Sequence, residues 1–232
     1  MSLLTLVQDA TGLLSLVRPS VVIGSSDLTT RQIFAIAVGA CNALNRKWWT
    51  AMTREQTFVT TATAVQADAL PSDFDRFVPD SFFNRTQNRQ VVGPLTPQSW
   101  QTIQSNGATS NIVIAFRQRT GSFLVTPTPT AGETIAYEYI STKWARSSDL
   151  VTDRVRWTID TDTSYFDEWL ITLDIVWRWR KAKGLPYGED HDTWKSYRDN
   201  LLGNDGGPGE INAAPGGDFS LGVTIPEGSW DA

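Results

Sequence analysis

The spacing of apolar residues changes twice along this chain, and these changes restrict the fold that it can adopt. Apolar residues recur every three or four positions in the first 52 residues, and again from about Thr163 to residue 203, as on the buried face of a helix. Between Thr53 and about Trp144, segments rich in Thr, Val, Phe, Pro and Gly alternate polar with apolar residues, as β-strands do. Two isolated helices at each end would bury too little surface to fold alone. The pattern therefore predicts an α+β fold, in which a helical bundle of residues 1–52 and 146–203 is split by an inserted β-rich, sandwich-like or barrel-like domain of residues 53–145.

Capping residues mark the ends of several expected helices. Ser2 and Asp27 each precede a run at helical spacing, and their side chains can accept hydrogen bonds from the first free amides of a helix. Thr96 followed by Pro97 begins a shorter helix inside the β-rich region, and Gly184 is placed to end a long one. The helices are therefore expected at about 3–17, 27–49, 97–104, 165–183 and 188–202.

Two strand signals stand out in the β-rich region. Thr120 and Gly121 separate two apolar runs, which predicts a hairpin. In "ETIAYEYIST" the alternation places Ile135, Tyr137 and Tyr139 on one face of a strand.

Charge and cysteine content exclude several classes of protein. The net charge is −5, but residues 204–232 carry five acidic side chains and no Lys or Arg, so the other 203 residues hold 20 of each sign. A neutral body with an acidic tail does not favour general DNA binding, which depends on neutralising phosphates. One cysteine, Cys41, and one histidine, His191, leave no disulfide within the chain and no Cys/His metal site. No apolar run is long enough for a membrane helix, and the N-terminus lacks the basic region of a secretory signal.

The segment "DEWLITLDIVWRWRKAKGLPY", residues 167–187, combines three tryptophans with two arginines and two lysines. On a helix these two sets separate, because the cations gather in the last turns, where the helix dipole already favours them. The middle of the helix is apolar on nearly every side, which is unlike a helix that lies on a membrane surface. A stacking platform for nucleic acid needs aromatic side chains exposed along a basic groove. The pattern favours a buried helix that packs within its own domain and also against a neighbour.

Catalytic motifs do not appear in the sequence. It contains no phosphate-binding loop, no GxGxxG and no GxSxG, and His191 is flanked by acidic residues in a surface-like context. Two alternatives stay open. One is a cell-wall glycosidase with paired carboxylates, whose candidates are Asp73, Asp75, Glu133 and Glu138. The other is a nucleic-acid-binding module that uses Arg178, Arg180, Lys181 and Lys183.

Residues 204–232 contain seven Gly and three Pro and cannot build a core of their own. Apolar residues nevertheless punctuate this segment, and "FSLGVTI" alternates at a period of two. This pattern favours an extended tail that docks on another chain, for example by strand addition. A disordered C-terminus with incidental apolar residues is the alternative.

Several segments, in their order along residues 3–200, carry a family resemblance: "LLTLVQDATGLLSLVRPSVVIGSSDLTTRQIFAIA", "NRKWWTAMTREQTF", "GPLTPQSWQ", "AYEYIS" followed by a Trp, and "DTDTSYFDEWLITLDIVWRWRKAKGLPY". In these the chain resembles the head–tail adaptor (connector) proteins of short-tailed phages, of the tail tubular A or head-completion type. The resemblance implies a structural virion protein in the neck of the particle, assembled in the host cytoplasm, with no catalytic role, metal or cofactor. Some relatives are reported to degrade cell wall, but no motif here carries that activity to particular residues.

The resemblance also implies partners. The first partner is the chain itself, in a ring of commonly twelve identical subunits. The portal protein would lie above this ring and the tail nozzle or tube below it. Double-stranded DNA would pass through the ring without sequence-specific binding. A heterologous ring needs two different contact surfaces on each subunit, which helices apolar on two sides can supply. The expected subunit interface is therefore Trp169, Ile175, Trp179, Phe34 and Val38. The expected portal-docking residues of the tail are Ile211, Phe219, Leu221, Val223, Ile225 and Trp230.

Overall fold

A computed structural model of the chain describes residues 2–67, 69–105 and 114–206. Its α-helices are α1 (Leu3–Leu13), α2 (Leu28–Asn45), α3 (Pro97–Ser105), α4 (Glu168–Ala182) and α5 (Gly188–Asn204), with a short 3-10 helix at Thr50–Met52. Its strands are β1 (Thr53–Val59), β2 (Val65–Gln66), β3 (Phe74–Phe77), β4 (Phe83–Asn84), β5 (Arg89–Val92), β6 (Ile114–Arg119), β7 (Ser122–Thr126), β8 (Thr134–Ser141), β9 (Ala145–Arg146), β10 (Asp153–Arg154) and β11 (Thr163–Ser164). Both the α+β class and the β-rich region are confirmed. Among the described helices, none is long and apolar enough to cross a membrane.

The predicted caps are present at the helix starts. Side-chain oxygens of Ser2, Asp27 and Thr96 accept hydrogen bonds from the amide three residues on, at 3.3, 2.8 and 3.1 Å. Asp167 caps α4 in the same way, at 2.8 Å. These bonds satisfy amides that a helix start would otherwise leave free.

Two helices end earlier than their apolar spacing predicts. Ser15 takes a left-handed conformation (φ 55°), and the amide of Leu16 bonds back to the carbonyl of Thr11 at 2.9 Å, so α1 ends at Leu13. The indole of Trp49 donates to the carbonyl of Leu44 at 2.9 Å, which occupies one of the carbonyls at the end of α2. Apolar side chains recur every three or four residues beyond both of these helix ends, which explains why the sequence predicted longer helices.

Helix α4 lies at the centre of the helical part and packs against α1, α2 and α5. The amide of Leu3 at the start of α1 bonds to the carbonyl of Asp162, a few residues before α4, so α1 runs parallel to α4. The side chain of Gln32, near the start of α2, accepts from Lys183 at the end of α4, so α2 runs antiparallel. We call the end formed by the last turns of α1 and α4 the far end, and the opposite one, where Trp49 meets Phe166, the near end.

The β-rich part is a curled mixed sheet that forms a half-barrel rather than a closed barrel or a sandwich. The strand order is β1-β8-β4-β5-β6-β7-β2, with β3 also paired to β8. Only β5 and β6 are parallel among the described pairs. The predicted hairpin joins β6 to β7, and Thr120 and Gly121 both have positive φ, as the tight turn requires. Stacked aromatic rings fill the curl, including Phe82 on Tyr137 at 4.6 Å between ring centroids.

Strand β8 belongs to two hydrophobic cores. Ile135, Tyr137 and Tyr139 face the aromatic core of the half-barrel, as their alternation predicts, whereas Ile140 packs in the core of the helices. The side-chain amide of Asn45, at the end of α2, donates to the backbone carbonyl of Ser141 at 3.2 Å. The half-barrel is therefore attached at the near end of the helical part.

Candidate assembly surface

The structure distributes the five predicted interface residues over different environments. Ile175 and Trp179 are 0% and 5% exposed and lie in the core of the chain itself. Trp169, on the first turn of α4, is 47% exposed. Phe34 and Val38 are half-buried on α2, against the same core. Three of the five side chains therefore keep surface that another chain could contact.

The sequence predicts a subunit contact at Trp179, and the structure places other residues of the same chain beside it. Leu13 and Leu14 at the end of α1 line the same cavity as Trp179, and the ammonium group of Lys183 lies 4.4 Å from the centre of its ring. Because α4 has neighbours from its own chain on three sides, its apolar circumference is explained without a partner. We therefore leave Ile175 and Trp179 out of the surface considered below.

The cations at the end of α4 are engaged within the chain. Arg178 pairs with Asp174 at 2.6 Å, and Arg180 pairs with Asp190 at 2.7 Å. The ammonium groups of Lys181 and Lys183 lie over aromatic rings. Trp177 and Trp179 themselves are buried. Neither tryptophan therefore presents the exposed ring that a nucleic-acid stacking platform needs.

Asp174 is fully buried in the middle of α4, and its ion pair with Arg178 is not among the features predicted from the sequence. Burial raises the pKa of its carboxyl, and the hydrogen bond and charge of Arg178 act in the opposite direction. The signal available in the sequence was the spacing of Asp174 and Arg178, four residues apart on one helical face.

Two of the four acidic residues considered for glycoside cleavage, Asp73 and Glu133, accept hydrogen bonds from other side chains. Asp73 accepts hydrogen bonds from Tyr139 at 3.0 Å and from Ser141 at 2.7 Å. These bonds outweigh burial and lower its pKa. Glu133 is buried and accepts from Asn84 at 2.7 Å. Both carboxylates hold strands and loops together.

Among the remaining candidates, Glu138 is exposed on β8. Asp75 pairs with Arg76, and His191 packs edge-on against Trp177 with ring centroids 5.0 Å apart. Across residues 2–67, 69–105 and 114–206, no group of three or more His, Cys, Asp or Glu side chains could hold a metal ion.

The far end carries an exposed aliphatic surface that the sequence did not reveal. Leu13 and Leu185 line one cavity there, and Val17 and Val21 line another. Five aliphatic side chains at this end are between 45% and 91% exposed, and we call them the far-end patch: Leu13, Val17, Val21, Leu28 and Leu185. In the sequence, residues 18–27 lie between the first two expected helices and contain the Pro and Gly that are typical of a linker. The apolar residues in and around that linker were the available signal.

A second feature of the surface is a groove of about 760 Å³ beside α2. Phe34 and Trp157 supply aromatic surface, and Arg31 and Arg156 supply charge. The backbone of residues 22–25 closes one side. We call it the Phe34 groove.

The predicted tail residues Ile211, Phe219, Leu221, Val223, Ile225 and Trp230 lie outside the described residues. The described chain leads up to them from the near end, where Asp205 accepts a hydrogen bond from the amide of Thr50 at 2.7 Å.

Comparison with known families gives one match. A family model described as SU10 adaptor protein matches residues 1–206, which includes both the helical core and the half-barrel. No curated protein matches the chain.

Proposed function

The chain belongs to the SU10 adaptor protein family and is a structural component of a phage head–tail junction; from that premise we propose that it forms a ring of identical subunits between the portal and the tail nozzle. In this proposal the ring has twelve copies, assembles in the host cytoplasm and is a conduit for DNA during genome ejection. The helical part, residues 1–52 and 146–203, forms the ring, and the inserted residues 53–145 form a separate outward-facing domain.

The far-end patch is the observation of the structure that best supports assembly. Leu13, Val17 and Leu28 expose aliphatic carbon at one end of a helical unit whose core is otherwise well covered. Exposed apolar residues gathered at one end of a folded unit, as Leu13 with Leu185 and Val17 with Val21 are in two cavities, suit a contact with another protein.

A ring also needs a second, different surface on each subunit. Trp169 and the far-end patch lie at opposite ends of α4, and Trp169 is 13 residues before the end of the helix at Ala182, about 20 Å along its axis. We assign the far-end patch to one side of the subunit contact, and Trp169 with the half-buried Phe34 and Val38 to the other.

The tail completes the attachment to the portal in this proposal. Its six apolar residues, listed above, are the docking residues, and Asp205 fixes the base of the tail at the near end. Passage of DNA without binding agrees with the charge of the chain, because residues 1–203 carry equal numbers of basic and acidic side chains.

Mass photometry and negative-stain electron microscopy test this function directly. The purified chain, alone and mixed with the portal of the same phage, should give ring-shaped particles of uniform mass, at least when the portal is present. A particle that stays monomeric at every concentration and never binds a portal would exclude the proposal.

A further inference from the structure

Arg31 and Arg156 in the Phe34 groove have no carboxylate partner among the described residues. The guanidinium of Arg156 lies 5.9 Å from the centre of the Phe34 ring, and Arg31 is one helical turn before Phe34 on α2. The ion pairs found in the described part of the chain include neither arginine. The groove thus combines two exposed positive charges with aromatic surface.

The acidic side chains near the groove are already used. Both carboxylate oxygens of Asp160 accept hydrogen bonds, from the amide of Val22 at 3.0 Å and from that of Ile23 at 2.7 Å. Asp27 caps α2 through the amide and hydroxyl of Thr30. Neither carboxylate is paired with Arg31 or Arg156, so the positive charge of the groove favours a ligand that carries negative charge.

We propose that the Phe34 groove binds the acidic segment Glu227–Ala232 of this chain while no portal is attached. This segment reads "EGSWDA" and supplies two carboxylates and one indole. Glu227 and Asp231 match the two arginines in charge, and Trp230 matches the aromatic floor in chemistry. Residues 204–232 contain no Lys or Arg that would oppose this contact.

The distances allow the segment to reach the groove. Residues 207–226 separate the last described residue from the segment, and 20 residues span up to about 70 Å when extended. Phe34 lies 11 residues before Asn45 on α2, about 17 Å from the near end where the tail begins. The segment can therefore reach the groove of its own chain or that of a neighbouring copy.

The link to portal attachment rests on the proposed function, because Trp230 is also one of the proposed portal-docking residues. It cannot contact both sites at once, so portal binding and groove binding compete for it. Binding of the segment to the groove in the portal-free protein does not depend on ring formation. The experiment below therefore uses the portal-free protein.

A nitroxide spin label at position 229, introduced by Ser229→Cys, reports on the segment in the full-length, portal-free chain. Cys41 is fully buried, so the label reacts at one site. We expect a motionally restricted spectrum at low salt, and a mobile one at about 0.5 M salt, where exposed charges are screened. The double variant Arg31→Ala/Arg156→Ala should give the mobile spectrum at low salt as well. Both arginines are exposed, so circular dichroism should show an unchanged fold.

The control is Arg117→Ala/Arg119→Ala, which removes two arginines from β6 in the half-barrel and should leave the restricted spectrum intact. Dilution distinguishes binding within one chain from binding between two copies. If the restricted spectrum does not depend on protein concentration, the segment binds the groove of its own chain. If the restricted spectrum is lost on dilution, the segment binds the groove of a second copy. Either result supports the proposed occupant. A mobile spectrum in the parent protein, or a restricted one that survives loss of both arginines, would overturn the proposal.

Discussion

Asp160 and Asp162 connect the start of the chain to the segment that leads into α4. Asp162 is fully buried and accepts hydrogen bonds from the amides of Thr158 and Ile159 at 2.7 and 3.1 Å, and from Arg154 at 2.9 Å. Its carbonyl accepts from the amide at the start of α1. One residue thus organises a loop and positions a helix that begins about 160 positions earlier in the sequence.

Substitution Asp162→Asn should lower the free energy of unfolding at pH 7 by about 1–3 kcal/mol, because a buried acceptor of several hydrogen bonds is weakened. Burial acts to raise the pKa of Asp162, but the amides of Thr158 and Ile159 outweigh it and hold the pKa below its ordinary value. A lowered pKa stabilises the folded state above the ordinary value, and this stability is lost as the pH falls. The variant should therefore show a shallower loss of stability between about pH 5 and 2 than the parent.

Urea unfolding at a series of pH values measures this difference. Asp199→Asn is the control, because Asp199 is exposed and pairs only with Arg198 at the surface of α5. Equal slopes against pH in the parent and in Asp162→Asn would show that Asp162 is not the carboxylate responsible.

The roles of these acidic residues could not be predicted from the sequence. "TIDTDTS" has the composition of an ordinary polar turn, and nothing local distinguishes Asp162 from its exposed neighbours. Its burial arises from α1, which is brought to it only by the fold.

At the scale of elements, apolar periodicity predicted that α4 exists and Gly184 predicted its end, but the sequence did not show what surrounds the helix. Gly184 follows the helix with a φ of 70°, as the sequence indicated, whereas Asp167, expected inside the helix, caps its start. A helix that is apolar on all sides, however, can be surrounded by elements of the same chain or by another chain. The structure places α1, α2 and α5 around the helix, and Trp179 is consequently a core residue.

Two tryptophans of α4 should therefore respond differently to truncation. Trp179→Ala should lower the free energy of unfolding by about 3–5 kcal/mol, since it leaves a large cavity in the core. Trp169→Ala, at a half-exposed position, should change it by less than about 1 kcal/mol and yet reduce the fraction of subunits found in rings. Chemical denaturation and mass photometry on the same two variants measure both effects. A ring population unchanged by Trp169→Ala would remove this residue from the proposed interface.

At the scale of the whole molecule, the sequence predicted the order of helical and β-rich parts, but not their relative placement or the surfaces that remain uncovered. The far-end patch depends on three helix ends meeting, and residues in the linker after α1 belong to it. Such a surface has no periodic pattern, so local spacing could not identify it. The strand pairing that curls the sheet into a half-barrel is equally long-range, as β1 pairs with β8 about 80 residues away.

Val17 offers the sharpest test of the far-end patch, because it is 91% exposed and a charge placed there has little effect on folding. Val17→Asp should leave the thermal unfolding midpoint nearly unchanged and reduce ring formation strongly, since a carboxylate would be desolvated in the contact. Val151→Asp, at an aliphatic residue that is 79% exposed and lies outside the patch, is the matched control. Rings that form equally well in both variants would exclude the far-end patch from the subunit contact.

The boundary between body and tail lies later than the sequence suggested. Composition placed it at residue 204, but α5 continues to Asn204, and both the amide and the hydroxyl of Thr50 donate to the carboxylate of Asp205. A chain that ends at Gly206 should therefore unfold like the full-length protein, whereas one that ends at Gly203 should lose about 1–2 kcal/mol of stability, because the Thr50 donors lose their acceptor. The chain ending at Gly206 should also bind the portal more weakly in a pull-down assay, since it lacks the docking residues. If the chain ending at Gly206 unfolds or aggregates, the tail is part of the folded core. If this shortened chain binds the portal as well as the full-length protein does, attachment depends on the body alone.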